Sequence, residues 1–175
     1  VQVPTSTKVE LINKLADAGL TVIEAGSFVS PKWVPQMSDT RDVYLQAAQR
    51  PGVSYPVLVP NLKGLEAALE VGVKEVAGFA AASETFSVKN TNCNIKESLD
   101  RQKIVCDQAI KSGLRVRGYI SVVLGCPYEG EINPIVVSDV ARQLYEMGCY
   151  EISLGDTVGV GTPQKTKELF DYVAR

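Results

Sequence analysis

Along this chain, stretches with apolar residues at helical spacing alternate with short runs rich in apolar and β-branched residues. Five times the change from one to the other falls at a glycine: Gly19, Gly52, Gly72, Gly113 and Gly148. Within a few residues of these stops begin the runs TVIEAG, SYPVLVP, KEVAGFA, RVRGYISVVL and YEISLGD. Glycine takes the left-handed conformation that closes a helix without steric cost. Each repeat therefore reads as helix, cap, strand. The spacing accommodates one strand plus one crossover helix, which predicts a parallel α/β array. In such arrays ligands bind at the carboxyl ends of the strands.

The pattern predicts six helices and five strands. It opens on VQVPTSTKVELINKLADAG, a helix with no strand before it, and closes on TPQKTKELFDYVAR, a helix with no strand after it. Thr7 and Glu10 have capping-box spacing at the first helix start, and Thr162 followed by Pro163 reads as N-cap and first turn of the last. A (β/α)8 barrel takes about 250 residues, whereas a doubly wound sheet closes with fewer strands. The preferred reading is α/β, a partial TIM (β/α)8 barrel running roughly from helix 1 to helix 6, with the first and the last two strands missing. Residues 1–175 form one incomplete barrel domain in this reading.

Strand alternation carries the first functional signal. In RVRGYISVVL one face presents Val116, Gly118, Ile120 and Val122, and the other Arg115, Arg117, Tyr119 and Ser121. In YEISLGD, Ile152 and Leu154 oppose Glu151 and Ser153; in TVIEAGS, Ile23 and Ala25 oppose Glu24. Barrel interiors are usually filled by Val, Ile and Leu. Three strands here send carboxylates, a guanidinium and hydroxyls to one side, which reads as a polar interior; edge strands with one wet face are the alternative. Glu24, near the carboxyl end of its strand and followed by Gly26, suits a general base or the outer shell of a metal. A structural salt bridge, for instance to Arg117, is the competing role. Asp156 has the same placement, and a turn role before GVGTP competes with catalysis there.

Composition narrows the classes. The chain has 175 residues, is 45% hydrophobic and 22% charged, and carries a net charge of −2. Mixed-sign helix faces give neither a nucleic-acid nor a polybasic membrane signature, and no apolar run approaches the ~20 residues of a membrane span. Cys93, Cys106, Cys126 and Cys149 form no CxxC motif, which fits a reducing compartment. Histidine is absent altogether, so no Ser–His pair and no His-ligated metal arises from these residues.

The connecting segments add candidates. SPKWVPQM holds two prolines and an isolated Trp33. SETFSVKNTNCN reads as a long polar loop with Lys89, Asn90 and Asn92, leading to Asn94 and Glu97 at capping-box spacing for the next helix. LGCPYEGEINP sets Cys126 at a strand end, where an inert small hydrophobe is the commoner role. GDTVGVGTP matches neither GxGxxG nor a Walker A loop.

Taken in order, IEAGSFVSPKWVPQM, YPVLVPNLKG, FAAASETFSVKNTNC, RGYISVVLGCPYEG and CYEISLGDTVGVGTP resemble the 3-hydroxy-3-methylglutaryl-CoA lyase family over essentially the whole chain. SFVSPKWVPQM and LGCPYEG set it apart from the 2-isopropylmalate and homocitrate synthases, which share the barrel and a GDTVG-like turn. The resemblance implies a metal-dependent TIM-barrel lyase of leucine degradation and ketone-body formation. Its reaction is retro-Claisen cleavage of (S)-3-hydroxy-3-methylglutaryl-CoA to acetyl-CoA and acetoacetate, assisted by Mg²⁺ or Mn²⁺. It implies an acyl-CoA substrate, no nucleic-acid or membrane partner, and a homodimer at full length. The location implied is the mitochondrial matrix in a eukaryote and the cytoplasm otherwise. By the family pattern Glu24 and Asp156 belong to the catalytic cavity, Ser27, Tyr119, Ser153 and Thr157 meet the substrate, and Asn90 meets the CoA portion.

The same pattern puts an Arg-Asp pair before Val1, and His-x-His metal ligands, an Asn ligand and a catalytic cysteine after Arg175. No metal ligand is therefore expected among these 175 residues, which are expected to be inactive alone. Cys126 is not that cysteine, and Arg41-Asp42 is not that pair. Two further classes are a synthase condensing acetyl-CoA with an oxo acid and a non-catalytic truncated copy.

Overall fold

A computed structural model describes residues 2–174. In chain order the elements are α1 (Thr5–Asp17), β1 (Gly26–Ser27), α2 (Thr40–Gln46), β2 (Val57–Leu58), α3 (Leu62–Val71), β3 (Glu75–Ala81), α4 (Glu84–Thr91), α5 (Ile95–Lys111), β4 (Arg115–Ser121), α6 (Pro134–Glu146), β5 (Glu151–Leu154) and α7 (Pro163–Val173), with a 3₁₀ turn at Pro35–Met37. The strands form one sheet in the order β1-β2-β3-β4-β5. The pairs β1–β2, β2–β3 and β4–β5 are parallel. The five glycine stops all have positive φ, between 79° and 93°.

The chain divides into two compact units, one of residues 1–77 and 111–115, the other of 78–110 and 116–175. In the first, Val43, Val57, Val59, Leu65, Ala68 and Val76 are buried. At the amino end of β3 the buried Glu75 accepts a hydrogen bond from Ser54 Oγ at 2.7 Å and lies 3.6 Å from Arg115 Nη1. In the second unit Val105, Ala109, Val116, Ile120, Val140 and Leu144 form the core. A Cβ at Gly118 would stand 3.2–3.3 Å from Leu144, Ile152 and Cys149, so the glycine admits these neighbours. The four cysteines are free and buried, with the sulfurs of Cys106 and Cys149 4.0 Å apart.

Three local expectations change. Among the described residues seven α-helices form rather than six, because SETFSVKNTNCN is largely helix α4. Ser83 caps it by accepting from Phe86 N, and Asn92 closes it in the left-handed conformation at φ 55°. The segment ETFSVKNT carries no apolar stripe, so periodicity could not reveal the helix. Thr7 does not cap α1: the helix begins at Thr5, and Pro4 provides the carbonyl that accepts from Thr7 N and Lys8 N. Glu10 instead pairs with Lys14 one turn on. Third, α2 ends at Gln46, so Gly52 serves a turn before β2 rather than the helix end itself. The Asn94–Glu97 box and the Thr162–Pro163 start form as the spacing predicts.

Candidate active site

The polar face expected of the last two strands is present in the second unit. Register pairs Arg117 with Glu151 and Tyr119 with Ser153, so these four side chains form a two-rung ladder on one face. Val116 and Ile120 are buried on the other. Arg117 forms an ion pair with Glu151, and its guanidinium carbon lies 5.7 Å from the centre of the Tyr119 ring. Cross-strand opposite charges of this kind hold register, and here they fix Tyr119 beside Ser153.

Beyond that ladder the ends of β4 and β5 are joined. Gly155 N donates to Ile120 O at 2.8 Å, and Val123 N returns to Gly155 O at 3.1 Å. Between them Val122 N donates to Thr157 Oγ1 at 2.8 Å. Val122 has φ 58°, a left-handed conformation in a β-branched residue, and such outliers persist only where surrounding structure enforces them. It is fully buried, clustered with Ala81 and Cys126 against Phe86 and Ile132. Asp156 accepts from Val160 N at 3.1 Å and Gly161 N at 2.8 Å, folding the GVG segment back on its carboxylate.

The GCPYEG turn is tied to α4. Cys126 and Gly130 exchange backbone hydrogen bonds, and the Cys126 thiol lies 3.1 Å from Ser83 Oγ. Glu129 accepts from Thr85 N at 2.6 Å, and its bonds to Thr85 hold the carboxyl below the usual carboxylate range. Lys89 Nζ sits 4.5 Å above the Tyr128 ring centre. Asn90 is exposed on the same helix.

Glu24 and Ser27 belong to the first unit. Parallel hydrogen bonds run from Thr21 O through Ile23 N and Ala25 N to Phe28 N. Glu24 thus lies within the paired segment, ahead of β1, and Ser27 occupies its carboxyl end. Ile23 and Ala25 are buried and Glu24 faces the other way, as alternation predicts. The residue that pattern reading missed is Thr40. It is 3% exposed, lies 2.9 Å from Ser27 O, and accepts from Ser27 N at 3.3 Å. Gly26, at φ 152°, makes room for it: a Cβ there would come within 2.9 Å of two Thr40 side-chain atoms.

Two cavities lie elsewhere. One of about 370 Å³ near the start of α1 is lined by residues including Thr5, Lys8 and Asp39; one of about 230 Å³ is lined by residues including Glu131, Lys165 and Leu169. Neither includes an expected site residue. Among the described residues no group of three His, Cys, Asp or Glu side chains gathers to hold a metal ion, and no helix is long and apolar enough to cross a membrane.

The chain is a parallel α/β array with polar groups near its strand ends, and comparison with known proteins gives its family. The chain matches the HMGL-like family over residues 1–175 and belongs to that family. It is 58% identical over 172 residues to the 3-hydroxy-3-isohexenylglutaryl-CoA/hydroxy-methylglutaryl-CoA lyase of Pseudomonas aeruginosa, covering 98% of this chain and 57% of that protein. It is 57% identical over 171 residues to the mitochondrial hydroxymethylglutaryl-CoA lyase of Bos taurus, covering 98% of this chain and 53% of that protein. An HMG-CoA lyase from Acinetobacter baumannii, solved with coenzyme A and 3-methylmalate, superposes with a TM-score of 0.93 at 32% identity, over 99% of this chain and 56% of that one. The chain thus spans a little over half the length of these relatives. Its fold class is the α/β class of a partial TIM barrel, as the helix–cap–strand repeat predicts.

Proposed function

We propose that the whole protein is a hydroxymethylglutaryl-CoA lyase and that residues 1–175 form one incomplete catalytic barrel domain of it. The observation that carries this reading is the 58% identity, over nearly the whole chain, to a protein named for that activity. The reaction is cleavage of (S)-3-hydroxy-3-methylglutaryl-CoA. A base takes the proton of the C3 hydroxyl, the C2–C3 bond breaks, and its electrons become the enolate of acetyl-CoA. The oxygen left on C3 becomes the ketone of acetoacetate, and the enolate carbon takes up a proton.

Each residue has a role in this scheme. Glu24 serves as the base or relays the proton from it. Tyr119 and Ser153, neighbours in register, offer hydroxyls to substrate oxygens. Ser27, at the end of β1, contacts substrate, and Asn90 meets the CoA portion. Asp156 shapes the cavity from the loop after β5, where its carboxylate is engaged by two backbone amides. The divalent-metal dependence of the family is a separate matter. Among the described residues no three His, Cys, Asp or Glu side chains gather around a place for Mg²⁺ or Mn²⁺. A homodimer, and a mitochondrial matrix location in a eukaryote or a cytoplasmic one otherwise, complete the proposal.

Its test is acetoacetate release from hydroxymethylglutaryl-CoA by the whole protein, with Glu24→Gln alongside. A general base is worth ~10²–10⁴-fold in rate, so Glu24→Gln lowers kcat by that order with its melting temperature near that of the parent. If cleavage is absent while acetyl-CoA condenses with an oxo acid, the protein is a synthase. If stability and activity collapse together, Glu24 is structural. The 175-residue chain alone is expected to show no turnover.

A further inference from the structure

Thr157 stands where the backbone just after β4 takes a conformation its residue disfavours. Left-handed geometry brings Cβ of an L-residue too close to the following carbonyl, and branching at Cβ aggravates this. Valine adopts it at position 122, fully buried. Its N–H would then point away from any strand partner, and a buried unpaired amide is itself costly. Thr157 Oγ1 meets that amide at 2.8 Å, while its own proton has a partner in Gly155 O at 3.4 Å. A hydroxyl has one proton and two lone pairs. One lone pair is taken by Val122, and the reach to Gly155 O is long for a hydroxyl donor, so the Val122 amide is the partner that the Thr157 oxygen holds firmly.

We propose that Thr157 is a positioning residue: its hydroxyl latches Val122 in the left-handed conformation and so holds the ends of β4 and β5 together. The latch closes a ring with the Ile120–Gly155 and Val123–Gly155 hydrogen bonds. Tyr119 and Ser153 lie on the strand side of that ring, and Asp156 lies within it, between Gly155 and Thr157. The consequence for catalysis rests on the proposed lyase reaction; the latch itself does not.

The experiment compares Thr157→Val, which keeps shape but loses the acceptor, with Thr157→Ser, which keeps it, in the full-length protein. Amide hydrogen exchange over residues 119–126 is followed without ligand, beside kcat and KM on hydroxymethylglutaryl-CoA. Loss of this part-buried hydrogen bond predicts exchange at Val122 and Val123 faster by ~10-fold or more in Thr157→Val. A fall in kcat with little change in KM accompanies it, and Thr157→Ser restores both. Unchanged exchange with a raised KM overturns the latch and makes Thr157 a substrate contact. So does a Thr157→Ser variant as impaired as Thr157→Val. Should Thr157→Val not fold, the parent protein decides: the latch requires slow exchange at Val122 without ligand, and fast exchange there refutes it. If the protein does not cleave hydroxymethylglutaryl-CoA, the lyase reading fails while the exchange data still judge the latch.

Discussion

The carboxyl ends of β1 and β4 are both secured by a threonine hydroxyl reaching a main-chain amide, yet the two solve opposite problems. At β1 the strained position is occupied by Gly26, which adopts φ 152° freely and leaves space for Thr40. There the hydroxyl exploits a vacancy. At β4 the strained position is occupied by Val122, which resists φ 58°, and Thr157 holds it against that preference. The same group fills a gap in one place and opposes a restoring force in the other. Removing each should therefore have different consequences, even though each removal costs the same hydrogen-bonding group.

The sharpest break is Gly26→Ala. The new methyl would meet Thr40 at 2.9 Å in a backbone conformation alanine avoids, so a loss of about 3 kcal/mol is expected in denaturant unfolding. Thr40→Val follows, at about 2 kcal/mol, because it strands the Ser27 amide in a buried place. Thr157→Val should cost less than Thr40→Val in the same measurement, at about 1 kcal/mol, since Val122 relaxes once released and returns part of the strain. Equal losses would mean that Val122 stores no strain.

Gln102 offers a control away from both strand ends. Its Oε1 has no hydrogen-bond partner and its side chain is 3% exposed. Gln102→Met should accordingly be neutral or stabilising by up to about 1 kcal/mol.

The smallest effect concerns acid. Burial raises the Asp39 carboxyl, but Lys8 at 2.6 Å and the Thr5 hydroxyl outweigh it, so the group lies below its ordinary value. A depressed carboxylate stabilises the fold fully above its unfolded pKa of about 4 and loses that contribution as pH falls through the lower folded value. Lys8→Met should flatten the stability profile below about pH 4. A profile unchanged by the substitution would show that the pair contributes nothing there.

What sequence pattern reveals, and what it hides, follows from the same contrast. The helix–cap–strand repeat was legible because glycine marks left-handed positions in the residue alphabet. The two faces of β4 were legible because alternation reflects burial directly. Val122 was illegible because nothing in RVRGYISVVL marks one of three β-branched residues near its end as the turning point; that depends on Thr157, 35 residues on. Thr40 was hidden for a similar reason, since Gly26 advertises space without naming its occupant. Helix α4 escaped because caps at Ser83 and Asn92, rather than an apolar stripe, define it. Glu24 was placed on the correct face but too near the strand end, since pattern reading sets boundaries from residue type and the hydrogen bonds set them otherwise.

The burial of all four free cysteines makes the protein its own chemical clock. Cys106 and Cys149 lie in the second unit's core, Cys93 follows α4, and Cys126 sits at the GCPYEG turn beneath Phe86. A thiol-modifying reagent reaches each sulfur only when its surroundings open, so four labelling rates read four local openings in a single mass-spectrometric time course. At high reagent concentration the rates approach those of opening itself. At low concentration they report opening equilibria, and the ratio for Cys126 against Cys106 compares the turn with the helical core without any added probe.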